Sequence, residues 1–105
     1  MHQQFLCLVH RKWVYMFPQE ALEHIENAKV QGESFRQQQR WEDALPYLGC
    51  ALEMTEILMD IDHQRSSKYG LLYTALSVAV ADTLYRLQQL QMASDFLQES
   101  ASWLR

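Results

Sequence analysis

Displaced by 49 residues, the chain lies on itself: Gly32 falls on Ala81, Phe35 on Leu84, Gln39 on Gln88, Trp41 on Leu90, Ala44 on Ala93, Leu48 on Leu97 and Ala51 on Ser100. Small residues fall on small ones and large residues on large ones. Steps of three and four put residues on one helix face. Small side chains on such a face let two antiparallel backbones approach, and bulky ones fill the grooves beside them. A chain that carries this order twice is expected to fold as antiparallel helical hairpins in an all-α domain. Composition agrees, because 3 Gly and 2 Pro in 105 residues leave little turn chemistry for a many-stranded sheet.

Apolar periodicity places four main helices in one domain over 1–105. The first carries Ala21, Ile25, Ala28, Gly32 and Phe35 after Pro18, which suits a first helical turn. The second carries Trp41, Ala44, Leu45, Leu48, Ala51, Leu52, Thr55 and Leu58, with a break expected at 38–40. Pro46 lies inside that second pattern, so the helix either begins at Asp43, with Asp43 as its cap, or begins earlier and bends at the proline; the earlier start is favoured. Together these two form a first hairpin over 18–59. The polar interval 60–68 reads as a connection. A second hairpin over 69–105 carries Tyr69, Leu72, Tyr73, Leu76, Val80, Leu84 and Leu87, then Leu90, Ala93, Leu97 and Leu104 with Trp103 beside it. In the segment 1–16, Phe5, Val9, Trp13 and Met16 fit a further, N-terminal helix.

The first copy, Gly32-Glu33-Ser34-Phe35, then Arg40-Trp41-Glu42-Asp43-Ala44-Leu45-Pro46-Tyr47-Leu48 and Ala51-Leu52, resembles a tetratricopeptide (TPR) repeat. The second copy lacks its aromatic residues and glycine. The usual repeat is about 34 residues, so a spacing of 49 implies longer helices or an enlarged connection. The chain also departs from the family at Gln31, where a large apolar residue is preferred, at Gln39, where a turn glycine is common, and at Glu56, where a proline often ends the unit. An autonomous four-helix bundle is the alternative architecture.

The resemblance implies a concave face lined by the first helix of each hairpin. Its partner-binding residues would be Lys29, Glu33, Arg36 and Gln37 in the first copy, with Val78, Asp82, Tyr85 and Arg86 in the second. Arg36 and Arg86 are suited to hold carboxylates, and the face suits a polar peptide or an amphipathic helix. Glu33 stands where the family's carboxylate clamp needs a neutral amide. The scaffold positions would be Gly32, Phe35, Trp41, Ala44, Leu48, Ala51, Ala81, Leu84, Ala93 and Leu97.

No reaction is legible. His2, His10, His24 and His63 are scattered, without the one-turn spacing of a helical metal site, and no cofactor is expected. Cys7 and Cys50 have no metal spacing and read as reduced thiols of a cytoplasmic protein. The acidic pairs Glu42-Asp43, Glu53-Glu56 and Asp60-Asp62 read as solvated helix faces. A net charge of −4 disfavours nucleic acid as a partner, and Leu71 to Ala81 is too short to cross a membrane. A non-enzymatic adaptor binding a protein partner is the expected function; a dimerisation-only bundle, or a specific chaperone or regulatory subunit, are the alternatives. Two hairpins are fewer than a stack needs, and Leu71 to Ala81 is apolar on nearly every side. Self-association is therefore expected, most simply a two-fold dimer through the third and fourth helices.

Overall fold

The computed structural model describes residues 5–61 and 66–103. Its elements are α1 (Leu8–Met16), α2 (Pro18–Gln37), α3 (Trp41–Ile61), α4 (Ser66–Arg86) and α5 (Leu90–Trp103). All described regular structure is helical. His2, His63, Leu104 and residues 62–65 of the expected connection lie outside the described residues.

Helices α2 and α3, then α3 and α4, then α4 and α5 pack as successive neighbours, and α1 rests on α2 and α3. The direction of α4 follows from its contacts. Its C-terminal Arg86 stacks on Trp41 at the start of α3, whereas Tyr73 near its beginning meets Glu56 far along α3. The two helices are thus antiparallel. Helices of 20 and 21 residues are about 30 Å long, which sets the longest dimension of the molecule, 35 Å. The expected connection at 60–68 is shorter than the sequence suggested: α3 continues to Ile61 and α4 is helical from Ser66. Longer helices account for the 49-residue spacing.

The two hairpin turns are the same structure twice. At the end of α2, the Gln39 N–H donates to the Arg36 carbonyl (2.9 Å) and the Arg40 N–H to the Phe35 carbonyl (2.8 Å). At the end of α4, the Gln88 N–H donates to Tyr85 (2.9 Å) and the Gln89 N–H to Leu84 (2.9 Å). These paired bonds form a Schellman motif, which needs one left-handed residue. Gln39 (φ 60°) and Gln88 (φ 62°) supply it, at the two positions that self-superposition equates. Each next helix starts at once: Ala44 donates to Arg40 and Ala93 to Gln89 (3.0 Å each).

Trp41 lies in the first turn of α3, so the earlier start holds and Asp43 is not the cap. Pro46 is exposed, as is Glu42 four residues before it. The carbonyl that would have received a proline N–H therefore faces water, which limits the cost of the missing bond. Gly32 sets the closest approach of α2 and α3, because a Cβ there would stand 2.6 Å from the Leu48 side chain. Ala44, Ala51, Ala81, Ala93 and Leu84 are buried; Phe35 and Trp41 are half-buried. The sequence shows Leu71–Ala81 as apolar on nearly every side, yet in the fold Leu71 and Val78 are exposed. The continuously buried stretch is on α3, where residues 51–59 are all buried. Over that stretch α3 has α1, α2 and α4 around it, and a helical segment so surrounded keeps no solvent face.

Candidate protein-interaction surface

Of the expected concave-face residues, Gln37, Tyr85 and Arg86 are exposed, whereas Lys29, Glu33, Arg36 and Asp82 are half-buried. Arg36 reaches from α2 to α4, where its Nη1 donates to the Ala79 carbonyl (2.8 Å) and to Thr83 Oγ1 (3.1 Å). Its Nη2 pairs with Asp82 (3.2 Å), and its Nε faces Glu33 at 3.6 Å. Arg86 also approaches Asp82 (3.7 Å) and stacks its guanidinium 5.2 Å from the Trp41 ring centre. Arg36 is thus engaged by Asp82 within the fold, and the exposed Arg86 lies beside the same carboxylate and over Trp41. Their role in the fold is to tie the two hairpins together.

An apolar groove of about 610 Å³ runs between α4 and α5, walled by Val78, Ala81, Asp82, Tyr85, Leu90, Ala93, Ser94 and Leu97. Displaced by 49 residues, these eight positions become Lys29, Gly32, Glu33, Arg36, Trp41, Ala44, Leu45 and Leu48. That set is buried or half-buried throughout, because α4 lies along it. On the second hairpin no helix among the described residues lies in the same groove. Leu97, expected in the scaffold, is 49% exposed, whereas its counterpart Leu48 is fully buried. The sequence analysis placed Val78, Asp82 and Tyr85 on a binding face but put Leu97 in the scaffold, because which copy has a neighbour is not a local property.

Helix α1 covers the side of the first hairpin that α4 leaves free. Its anchor is Glu53, 1% exposed, whose carboxylate accepts the Phe5 N–H (2.7 Å) and Leu6 N–H (2.6 Å) and pairs with Arg11 at 3.1 Å. Gly49 makes room for the Phe5 ring, which also meets Phe96 of α5 at 6.5 Å. Glu56 is buried as well and accepts the Tyr73 hydroxyl at 3.0 Å. The expectation of a solvated face at Glu53-Glu56 is therefore corrected. One signal was present, since Glu53 interrupts the apolar run from Leu48 to Met59, but its partners lie more than forty residues upstream.

Burial, then the Glu53 carboxylate and Cys7, push the half-buried Cys50 thiol above its ordinary range. Burial, and then Glu56, raise the Tyr73 phenol, with Ser100 and Ser77 acting in the opposite direction. A shallow apolar cleft of about 550 Å³ beneath α1 is lined by Leu6, Trp13, Val14 and Met54, with Cys50 in its wall and His10 and His24 at its exposed edge. The His24 ring packs edge-on against Trp13 at 4.8 Å. Among the described residues, no three His, Cys, Asp or Glu side chains gather as metal ligands, and no helix is long and apolar enough to cross a membrane.

No family model matches the chain, and no curated protein or solved structure matches it either.

Proposed function

We propose that this chain is a non-enzymatic protein–protein interaction module, an adaptor of two TPR-like hairpins that docks a helix in the α4–α5 groove. The observation that carries the reading is internal to the molecule. The groove repeats, position by position, a groove that the same chain fills with its own α4. Hairpin order, small-residue register and the paired left-handed turns support the TPR-like description. The binding surface differs from the polar face that the family resemblance implied, because Arg36 and Arg86 are engaged with Asp82 while Val78, Leu90 and Leu97 stand exposed. Exposed apolar area concentrated in a groove marks interaction sites more reliably than isolated surface hydrophobes. Two cysteines without a disulfide fit a reducing, cytoplasmic setting.

Site-specific photo-crosslinking tests the reading. A photoreactive residue at Leu97 is expected to trap a helical segment of a protein, and Val78→Asp is expected to abolish the adduct. Adducts formed at Gln37 and not at Leu97 would return the site to the polar face, and the absence of adducts at both positions would refute the module.

A further inference from the structure

We propose that the helix docked in the groove is α4 of a second copy of this chain, the two α4 helices running antiparallel about a two-fold axis beside Val78. The inference rests on the groove reading above and names its occupant.

The outward stripe of α4 is self-complementary. Leu71 is 86% exposed and Val78 56%, with Tyr85 similarly open, and these three are spaced by seven residues on one helix face. Reversing the helix about Val78 brings Leu71 onto the partner copy's Tyr85 position and Thr74 onto its Asp82 position. A large apolar residue meets a large one, and Asp82 faces the short, uncharged Thr74, whose hydroxyl donates to the Gly70 carbonyl (2.8 Å). The two copies of Asp82 stay about 12 Å apart along the helix axis, and each is already balanced by Arg36 and Arg86. No like charges are forced together. The exposed Ala75 keeps the helix surface flat enough for close approach, and Leu90 and Leu97 of α5 flank the incoming helix.

The equivalent stripe on α2 reads Lys29, Glu33 and Arg36 where α4 has Val78, Asp82 and Tyr85. The copy that already has its neighbour is charged there and reaches across with Arg36. The copy without one is mainly apolar, as the centre of a self-associating contact requires.

A closed pair is favoured over an open stack of copies. Repeating the way α4 sits on the first hairpin would need α2 of the next molecule in the groove, and α1 partly covers α2. The outer side of α1 exposes Leu8, Val9 and Met16, but its nine residues span about 14 Å, against about 21 Å from Leu71 to Tyr85. A two-fold pair uses the stripe completely and ends itself.

The test uses the full chain. Sedimentation equilibrium is expected to give twice the 12.4 kDa chain mass, with Val78→Asp and Leu71→Glu each weakening the dimer by about a hundredfold or more while leaving the helical circular dichroism unchanged. In a Cys7→Ser, Cys50→Ala background, Val78→Cys alone should form an interchain disulfide on oxidation. Leu71→Cys and Tyr85→Cys should link efficiently only when the two variants are mixed. A concentration-independent monomer overturns the second copy as occupant and leaves groove docking to the crosslinking experiment. A mass that keeps growing with concentration overturns the closed pair. A dimer indifferent to both surface charges, with no Val78→Cys linkage, overturns the axis.

Discussion

The two hairpins share an order of small and bulky residues and the same left-handed turn, yet they end in different surroundings. The first is held between α1 and α4 and buries Leu48 completely; the second lies against the first on one side and leaves Leu97 half open. The turn structure is therefore a property of the repeated pattern, since Gln39 and Gln88 reach nearly the same φ in both settings. Burial is a property of neighbours. The residues that differ most between the copies, Lys29 against Val78 and Arg36 against Tyr85, follow the setting and not the pattern.

The sharpest way to break the comparison is to truncate the matched leucines. Leu48→Ala is expected to cost about 2–5 kcal/mol, and Leu97→Ala below about 1 kcal/mol in dilute solution, because the second already spends half its surface in water. Urea denaturation of both variants measures the gap, and equal losses would mean that the second groove is closed in solution. Next in size is the anchor that covers the first hairpin. Glu53→Ala leaves the Phe5 and Leu6 N–H groups and Arg11 without their carboxylate, at a cost of about 2–4 kcal/mol after allowing for the partial exposure of Arg11. Limited proteolysis should then cut within α1 before the hairpins, whereas cutting in α5 first would show that α1 is not what Glu53 secures.

Alkaline pH probes the seam between the hairpins. The Tyr73 phenol titrates higher in the folded chain than in the unfolded one, chiefly from burial. Its stabilising contribution is therefore complete below the unfolded value of about 10. Above that pH the unfolded chain loses the proton first, and stability falls by up to about 1.4 kcal/mol per pH unit until the folded phenol also ionises. Tyr73→Phe should flatten that limb of a stability–pH profile; an unchanged slope would assign it to other groups. The smallest effect concerns the element the hairpins share. Gln39→Gly and Gln88→Gly should each stabilise by about 0.5–1 kcal/mol, since glycine relieves the left-handed strain at some entropic cost. A gain at one turn only, read from melting curves, would separate the two hairpins at the feature in which they match best.

Much of the fold was legible because its information is local. Apolar steps of three and four marked the helices, the restart at Trp41 marked the turn, and buried Gly32, Ala44 and Ala93 followed from the small-to-small register. Helix lengths were less legible, since Asp60 and Ile61 look like loop residues until α3 is seen to continue through them. Glu53 was read as solvated because its ligands are the backbone of Phe5 and Leu6, whose proximity no pattern near Glu53 encodes. The candidate site was half legible: the set that included Asp82 and Tyr85 borders the groove, but the reach of Arg36 across to Asp82 of α4 is a contact between segments far apart in the chain.

What the sequence by itself determined is the repeated hairpin, because helix period, side-chain size and turn geometry act over a few residues. What only the tertiary structure decided is which copy is covered, which acid is buried and which arginine is engaged. Those outcomes depend on desolvation and contact between segments forty or more residues apart, where no local preference reaches.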